Sequence, residues 1–150
     1  MPPSIRRFVP AFLAAAVLFA SSAFVSTAGA AEPALVINLA GKFKPCPDAP
    51  PGCEHIMLRG DPQREAFQKV YRFPKGWIFP KHWHISAEDL VMVRGTIVLN
   101  SEGGREQTLR PGDYAYIPRT LVHWGNCPED CVFYLSVDGP DSFNVVEEKQ

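Results

Sequence analysis

Past residue 31 this chain of 150 residues has no long apolar run, and no stretch keeps a helical period over three turns. The first absence leaves nothing to match the roughly 20 apolar residues of a membrane-spanning helix. The second argues against a helical bundle. Charge of either sign is also scarce, with 15 Lys and Arg against 16 Asp and Glu and a formal net charge of −1. That balance gives no electrostatic footprint for nucleic acid. No internal repeat and no low-complexity tract follows residue 31, so repeat architectures are excluded, and the length fits one domain.

Turn formers are abundant instead, with 15 prolines and 11 glycines. Short runs rich in β-branched and aromatic residues lie at Phe67–Phe73, Trp77–Phe79, His82–Ile85, Leu90–Val93, Thr96–Leu99, Tyr114–Ile117, Leu121–Trp124, Val132–Val137 and Phe143–Val146. Turn residues separate them, among them Pro74-Lys75-Gly76, Glu102-Gly103-Gly104 and Pro111-Gly112-Asp113. Many short strands with regular punctuation predict an all-β sandwich or barrel. Before them come one apolar run, Leu35–Leu39, and a Pro-rich loop, Pro45–Gly52.

The first 30 residues read as a secretory signal peptide. Arg6 and Arg7 precede an apolar stretch from Phe8 to Ala20, and Ala28-Gly29-Ala30 supplies small residues for cleavage. The alternative is an uncleaved anchor, but the apolar stretch is short and Pro10, Ser21 and Ser22 interrupt it. Cleavage leaves residues 31–150 as a single domain of 150 − 30 = 120 residues with a net charge of −3, exported to the periplasm or the medium and without a membrane span. All four cysteines lie in that part. In an oxidising compartment an even count points to disulfides. Of the three connectivities, Cys46–Cys53 with Cys127–Cys131 closes two short loops; a zinc site of four thiolates fits these spacings poorly.

Three of the four histidines form one pattern. His82 and His84 are two apart on an expected strand, so their side chains share a face. Glu88 follows four residues on, past a bend at Ser86-Ala87, and His123 sits in another strand-like run. Three imidazoles and a carboxylate suit one divalent transition metal: Fe(II), Mn(II), Zn(II), Ni(II), Co(II) or Cu(II). In six-coordinate geometry two positions stay open, as a reactive ion needs. His55, alone near Cys53, is expected at the surface.

The glycines around these residues carry a resemblance. Gly76-x5-His82-x-His84-x3-Glu88-x6-Gly95, followed by Gly112-x5-Pro118-x4-His123, resembles the two signature motifs of the cupin superfamily. In the second motif Thr120 stands where the family usually has Gly, and Asn126 falls one place earlier than its usual Asn. The resemblance implies a jelly-roll antiparallel β-barrel with His82, His84, Glu88 and His123 as ligands of an ion inside it. It permits a dioxygenase, decarboxylase or isomerase acting on a small molecule, and also a binding module that captures a molecule or metal without turnover.

Around these ligands, Tyr71, Met92, Tyr114 and Tyr116 are candidates for the cavity wall, with packed aromatics as the alternative reading of the tyrosines. Met92 shares the parity of Glu88 and Leu90 and so should face inward. Tyr116 is a candidate catalytic donor, and Glu88 doubles as a general base. Trp83 alternates away from its flanking histidines, toward core packing or the contact of a homodimer. Asp89 and Lys81 also alternate away from the ligands, toward solvated ion pairs. The Pro-Glu-Asp turn after Cys127 borders the barrel mouth or is a plain surface turn.

Overall fold

A computed structural model describes residues 38–47 and 49–147. The expected signal peptide lies outside them, as does most of the Leu35–Leu39 run. The described residues contain eleven strands and no helix: β1 Lys44–Pro45, β2 Glu54–Gly60, β3 Phe67–Phe73, β4 Ile78–Trp83, β5 Glu88–Arg94, β6 Ile97–Ser101, β7 Gln107–Leu109, β8 Tyr114–Ile117, β9 His123–Asn126, β10 Cys131–Val137 and β11 Asn144–Val145. They form two antiparallel sheets, ordered β1-β2-β3-β10-β5-β8 and β11-β4-β9-β6-β7. Chain neighbours such as β4 and β5 fall in different sheets, as in a jelly roll.

Alternation explains which face of each strand is buried. On β10 the odd positions Cys131, Phe133, Leu135 and Val137 are buried. Their cross-strand partners on β3 and β5 are Phe73, Tyr71, Lys69 and Phe67, and Met92, Leu90 and Glu88. One row of side chains thus covers the inner face of the larger sheet, and Met92 lies in it as its parity requires. Phe73 anchors the aromatic part of the core, with ring centroids 4.9 Å from Phe79, 5.0 Å from Trp77 and 5.6 Å from Phe133.

The runs expected at Trp77–Phe79 and His82–Ile85 belong mostly to one strand, β4. Pro80 has no N–H to give, and the β4–β9 register shifts between Phe79 and His82, which is where a proline costs a ladder least. Gly95 has φ +73°, and a Cβ there would lie 2.0 Å from the carbonyl oxygen of Asp130, so only glycine fits that turn. Thr120, standing where the signature usually has glycine, takes the left-handed conformation itself, with φ 61°. A β-branched residue there is strained. The turn is held by the Thr120 N–H, which donates to the His84 carbonyl at 2.8 Å.

Both disulfides pair as expected, Cys46 with Cys53 and Cys127 with Cys131. The second staples the loop between β9 and β10. Within that loop Glu129 accepts from Thr96 Oγ1 at 2.6 Å and Asp130 accepts from the Lys75 N–H at 2.8 Å. The Pro-Glu-Asp turn therefore ties neighbouring turns together.

Candidate metal centre

The two sheets bring His82, His84, Glu88 and His123 together. His82 on β4 pairs directly with His123 on β9, and their ring centroids are 4.1 Å apart. His84 lies just past the end of β4, and one nitrogen from each of the three imidazoles lies within 4.8 Å of the others. Glu88 reaches them from the facing sheet, with Oε1 3.6 Å from His84 Nε2 and Oε2 3.8 Å from His123 Nε2. All four side chains are buried.

Each imidazole is held by its other nitrogen. Nδ1 of His82 donates to the Pro80 carbonyl at 2.7 Å, and Nδ1 of His123 to the Leu121 carbonyl at 3.0 Å. Nδ1 of His84 donates to the Ser142 carbonyl. Carbonyl acceptors fix the tautomer with hydrogen on Nδ1, which leaves the Nε2 lone pairs free. Burial, and then neighbouring His123, push His82 down to about 3. Burial also holds His84 and His123 below their ordinary value. Burial raises Glu88 to about 8, with Asp141 adding to the rise and Lys69 opposing it. Neutral imidazoles beside a carboxyl group form a mixed nitrogen and oxygen donor set that fits a divalent transition ion. Separations of this size let one ion reach every donor at roughly 2.1 Å after small side-chain movements.

A segment after β10 buttresses this cluster, a role that no local pattern of residues announced. Residues 138–143 cross from one sheet to the other. Ser142 supplies the carbonyl for His84, and Phe143 stacks on the His82 ring with centroids 4.2 Å apart and planes 24° apart. Ser142 Oγ also accepts from the Ile85 N–H at 2.8 Å, and Asp138 Oδ1 accepts from the Ala87 N–H at 2.8 Å. These contacts fix the bend that swings Glu88 toward the histidines.

Tyr114 and Tyr116 share one face of β8, where Tyr114 donates to Asp89, and Tyr116 is 57 % exposed. Both line a cavity of about 510 Å3 beside β6, β7 and β8, together with Leu99, Ser101, Ile117, Leu121 and His123. Trp83 pairs with Asn144 of β11 and is half-buried. The Lys81 ammonium lies 5.2 Å from the Trp124 ring centre. His55 is half-buried rather than at the surface. It stands edge-on to Tyr71, and its Nδ1 has no hydrogen-bond partner among the described residues.

Comparison with known proteins agrees with this architecture. The sequence profile of the cupin domain matches residues 69–137. A DNA damage-repair/toleration protein of Arabidopsis thaliana is 31% identical over 93 residues, covering 61% of this chain and 29% of that protein. The chain thus spans under a third of the length of this curated relative. An acetylacetone dioxygenase from Acinetobacter johnsonii superposes with a TM-score of 0.60 at 22% identity, over 76% of this chain and 78% of that one. A RmlC-like cupin from Shewanella frigidimarina gives 0.58 at 20% identity, over 73% and 92%. KdgF from Halomonas sp. gives 0.56 at 21% identity, over 70% and 94%. At these identities the structures speak for the fold alone, and the profile match over residues 69–137 together with the signature spacing supports the cupin superfamily for this chain.

Proposed function

We propose that the protein is an exported, metal-dependent cupin enzyme acting on a small molecule, with one divalent transition ion held by His82, His84, Glu88 and His123. The observation that carries this reading is the set of three buried imidazoles, each tied through Nδ1 to a backbone carbonyl and each presenting Nε2 to Glu88 or to one another. Orienting contacts of this kind are what metal-ligating histidines need. An ion held there would polarise an oxygen of a bound substrate. The chain's own groups then have separate tasks. The carbonyls of Pro80, Leu121 and Ser142 keep the rings aligned. Leu99, Ile117 and Leu121 give the cavity beside His123 an apolar wall that limits water. Glu88, one of the residues that would hold the ion, would also serve as the general base that takes a proton from the substrate. Tyr116 lines the same cavity as His123, where its hydroxyl would donate to a bound molecule. Solved structures of similar fold include an acetylacetone dioxygenase and a DMSP lyase, so the reading takes in both oxygen-dependent and oxygen-independent chemistry on a small molecule. Export is supported by the signal-like N-terminus and by two disulfides, which persist in oxidising compartments.

The test is elemental analysis of protein purified from the periplasm, with oxygen uptake measured after anaerobic Fe(II) loading. We expect about one transition ion per chain, as four protein donors around one centre imply. His82→Ala and His123→Ala should each lose most of the metal while His55→Ala keeps it. Equal occupancy in all three variants refutes the assignment.

A further inference from the structure

One buried charged side chain stands outside the imidazole cluster. Lys69 lies on the inner face of β3, with its side chain only 6 % exposed. Its register partner on β10 is Leu135, whose partner on β5 is Leu90, and both are buried. Glu88 occupies the next inward position on β5, so Lys69 shares an interior wall with it, two strands away. Lys69 Nζ donates to Tyr71 Oη at 3.2 Å and to Asp141 Oδ2 at 3.3 Å. An ammonium has three donors. The third has no hydrogen-bond partner among the described residues.

The ammonium also lies 4.5 Å from the Phe67 ring centre and 5.4 Å from that of Tyr71, contacts that offset only part of the cost of burying a charge. A buried ion pair is matched or exceeded by a well-packed apolar side chain of similar volume. Buried leucines at the same level of the next two strands on one side, β10 and β5, show that aliphatic residues pack along this row. The two members of the pair are also held unequally. Lys69 sits within a central strand, whereas Asp141 lies on the segment between β10 and β11 with its side chain 37 % exposed. Asp141 can turn to water while Lys69 stays in place. The place of Asp141 on Nζ would then be open to the carboxylate of a bound molecule. Because the Tyr71 oxygen accepts from Lys69, its own proton is available to the same anion. Ammonium and hydroxyl at this spacing match the two oxygens of one carboxylate.

We propose that Lys69 and Tyr71 form a carboxylate-recognising wall, and that the protein's small-molecule ligand is an organic acid. The inference rests on the metal-centre reading only for where the rest of that ligand lies.

The experiment is calorimetric titration with malonate, and with malonamide as its uncharged counterpart, of the metal-free and the zinc-loaded protein at pH 7. We expect malonate to bind the metal-free wild type and malonamide not to. Lys69→Met should weaken malonate at least tenfold with zinc content unchanged. Asp141→Asn, which removes the competing carboxylate, should tighten malonate binding several-fold. Should Lys69→Met fail to fold, the Asp141→Asn comparison decides. No malonate binding to the wild type, equal affinity in Lys69→Met, or no change in Asp141→Asn overturns the proposal. A wild type that takes up no zinc yet binds malonate counts against the metal centre and leaves the carboxylate wall standing.

Discussion

Raising the pH of the metal-free protein from 6.5 to 8 is expected to remove about 1.6 kcal/mol of stability that the protonated Glu88 supplies. Its carboxyl is buried and raised from 4.5 to about 8. Between those values the folded chain holds a proton that the unfolded chain has lost, so stability falls as pH rises. The buried histidines act in the opposite sense. Their folded values are depressed below 6.5, so the stability they contribute is present above 6.5 and is lost as pH falls through that value toward the folded one. Just above 6.5 the unfolded histidines are still partly protonated, so between 6.5 and 8 each depressed histidine returns about 0.4 kcal/mol, and the carboxyl's own effect is read as the difference between the wild type and Glu88→Gln. At about 1.36 kcal/mol per unit, with the slope halved where the pH reaches the folded value, the carboxyl's share is about 1.6 kcal/mol. Urea unfolding of chelator-treated wild type and Glu88→Gln at pH 6.5, 7.2 and 8 measures it, and the wild-type midpoint should fall by about 1 M relative to the variant's. Loading the wild type with zinc should remove the same fall, because the ion would replace the proton on the carboxylate. A wild-type profile that stays parallel to that of Glu88→Gln across this range refutes the reasoning.

Other perturbations test the supports of the site. Phe143→Ala removes the ring stacked on His82; metal should then leave at least several-fold faster in a competition with chelator, with stability changed little because Phe143 is largely exposed. Replacing Cys127 and Cys131 together by serine opens a loop with a sequence separation of 4, which the chain-entropy estimate values at about 2 kcal/mol, read as a lower urea midpoint. Thr120→Gly relieves the left-handed backbone at φ 61° and should raise the thermal midpoint, whereas Gly95→Ala, driven into the Asp130 carbonyl, should lower it sharply.

What the sequence displayed and what it concealed divide along physical lines. Side-chain alternation made His82 and His84 legible as a pair, and Glu88, Leu90 and Met92 as one face, because these are properties of a single strand. The short Pro-containing loops displayed the cysteine pairs for the same local reason. β7 was hidden in a polar stretch, Glu102 to Gln107, and only Leu109 of its three residues is buried. β2 was hidden because so few of its side chains are buried that no period emerges. Lys69 left a trace that the alternation could have caught: it shares the parity of Phe67, Tyr71 and Phe73, so the rule that puts those aromatics inside also puts the lysine inside. Ser142 left none. It lies 58 positions from His84, and its part is played by a backbone carbonyl, which every residue type carries.

The place of that carbonyl bears on how this protein should be handled. The stretch matched to the cupin profile stops at residue 137, whereas Asp138, Ser142 and Phe143 brace the bend and the imidazoles from beyond it. An expression fragment trimmed to the matched boundary would retain every signature residue and lose the brace. Assays on such a fragment would report a weak or empty ion site that belongs to the truncation and not to the gene product.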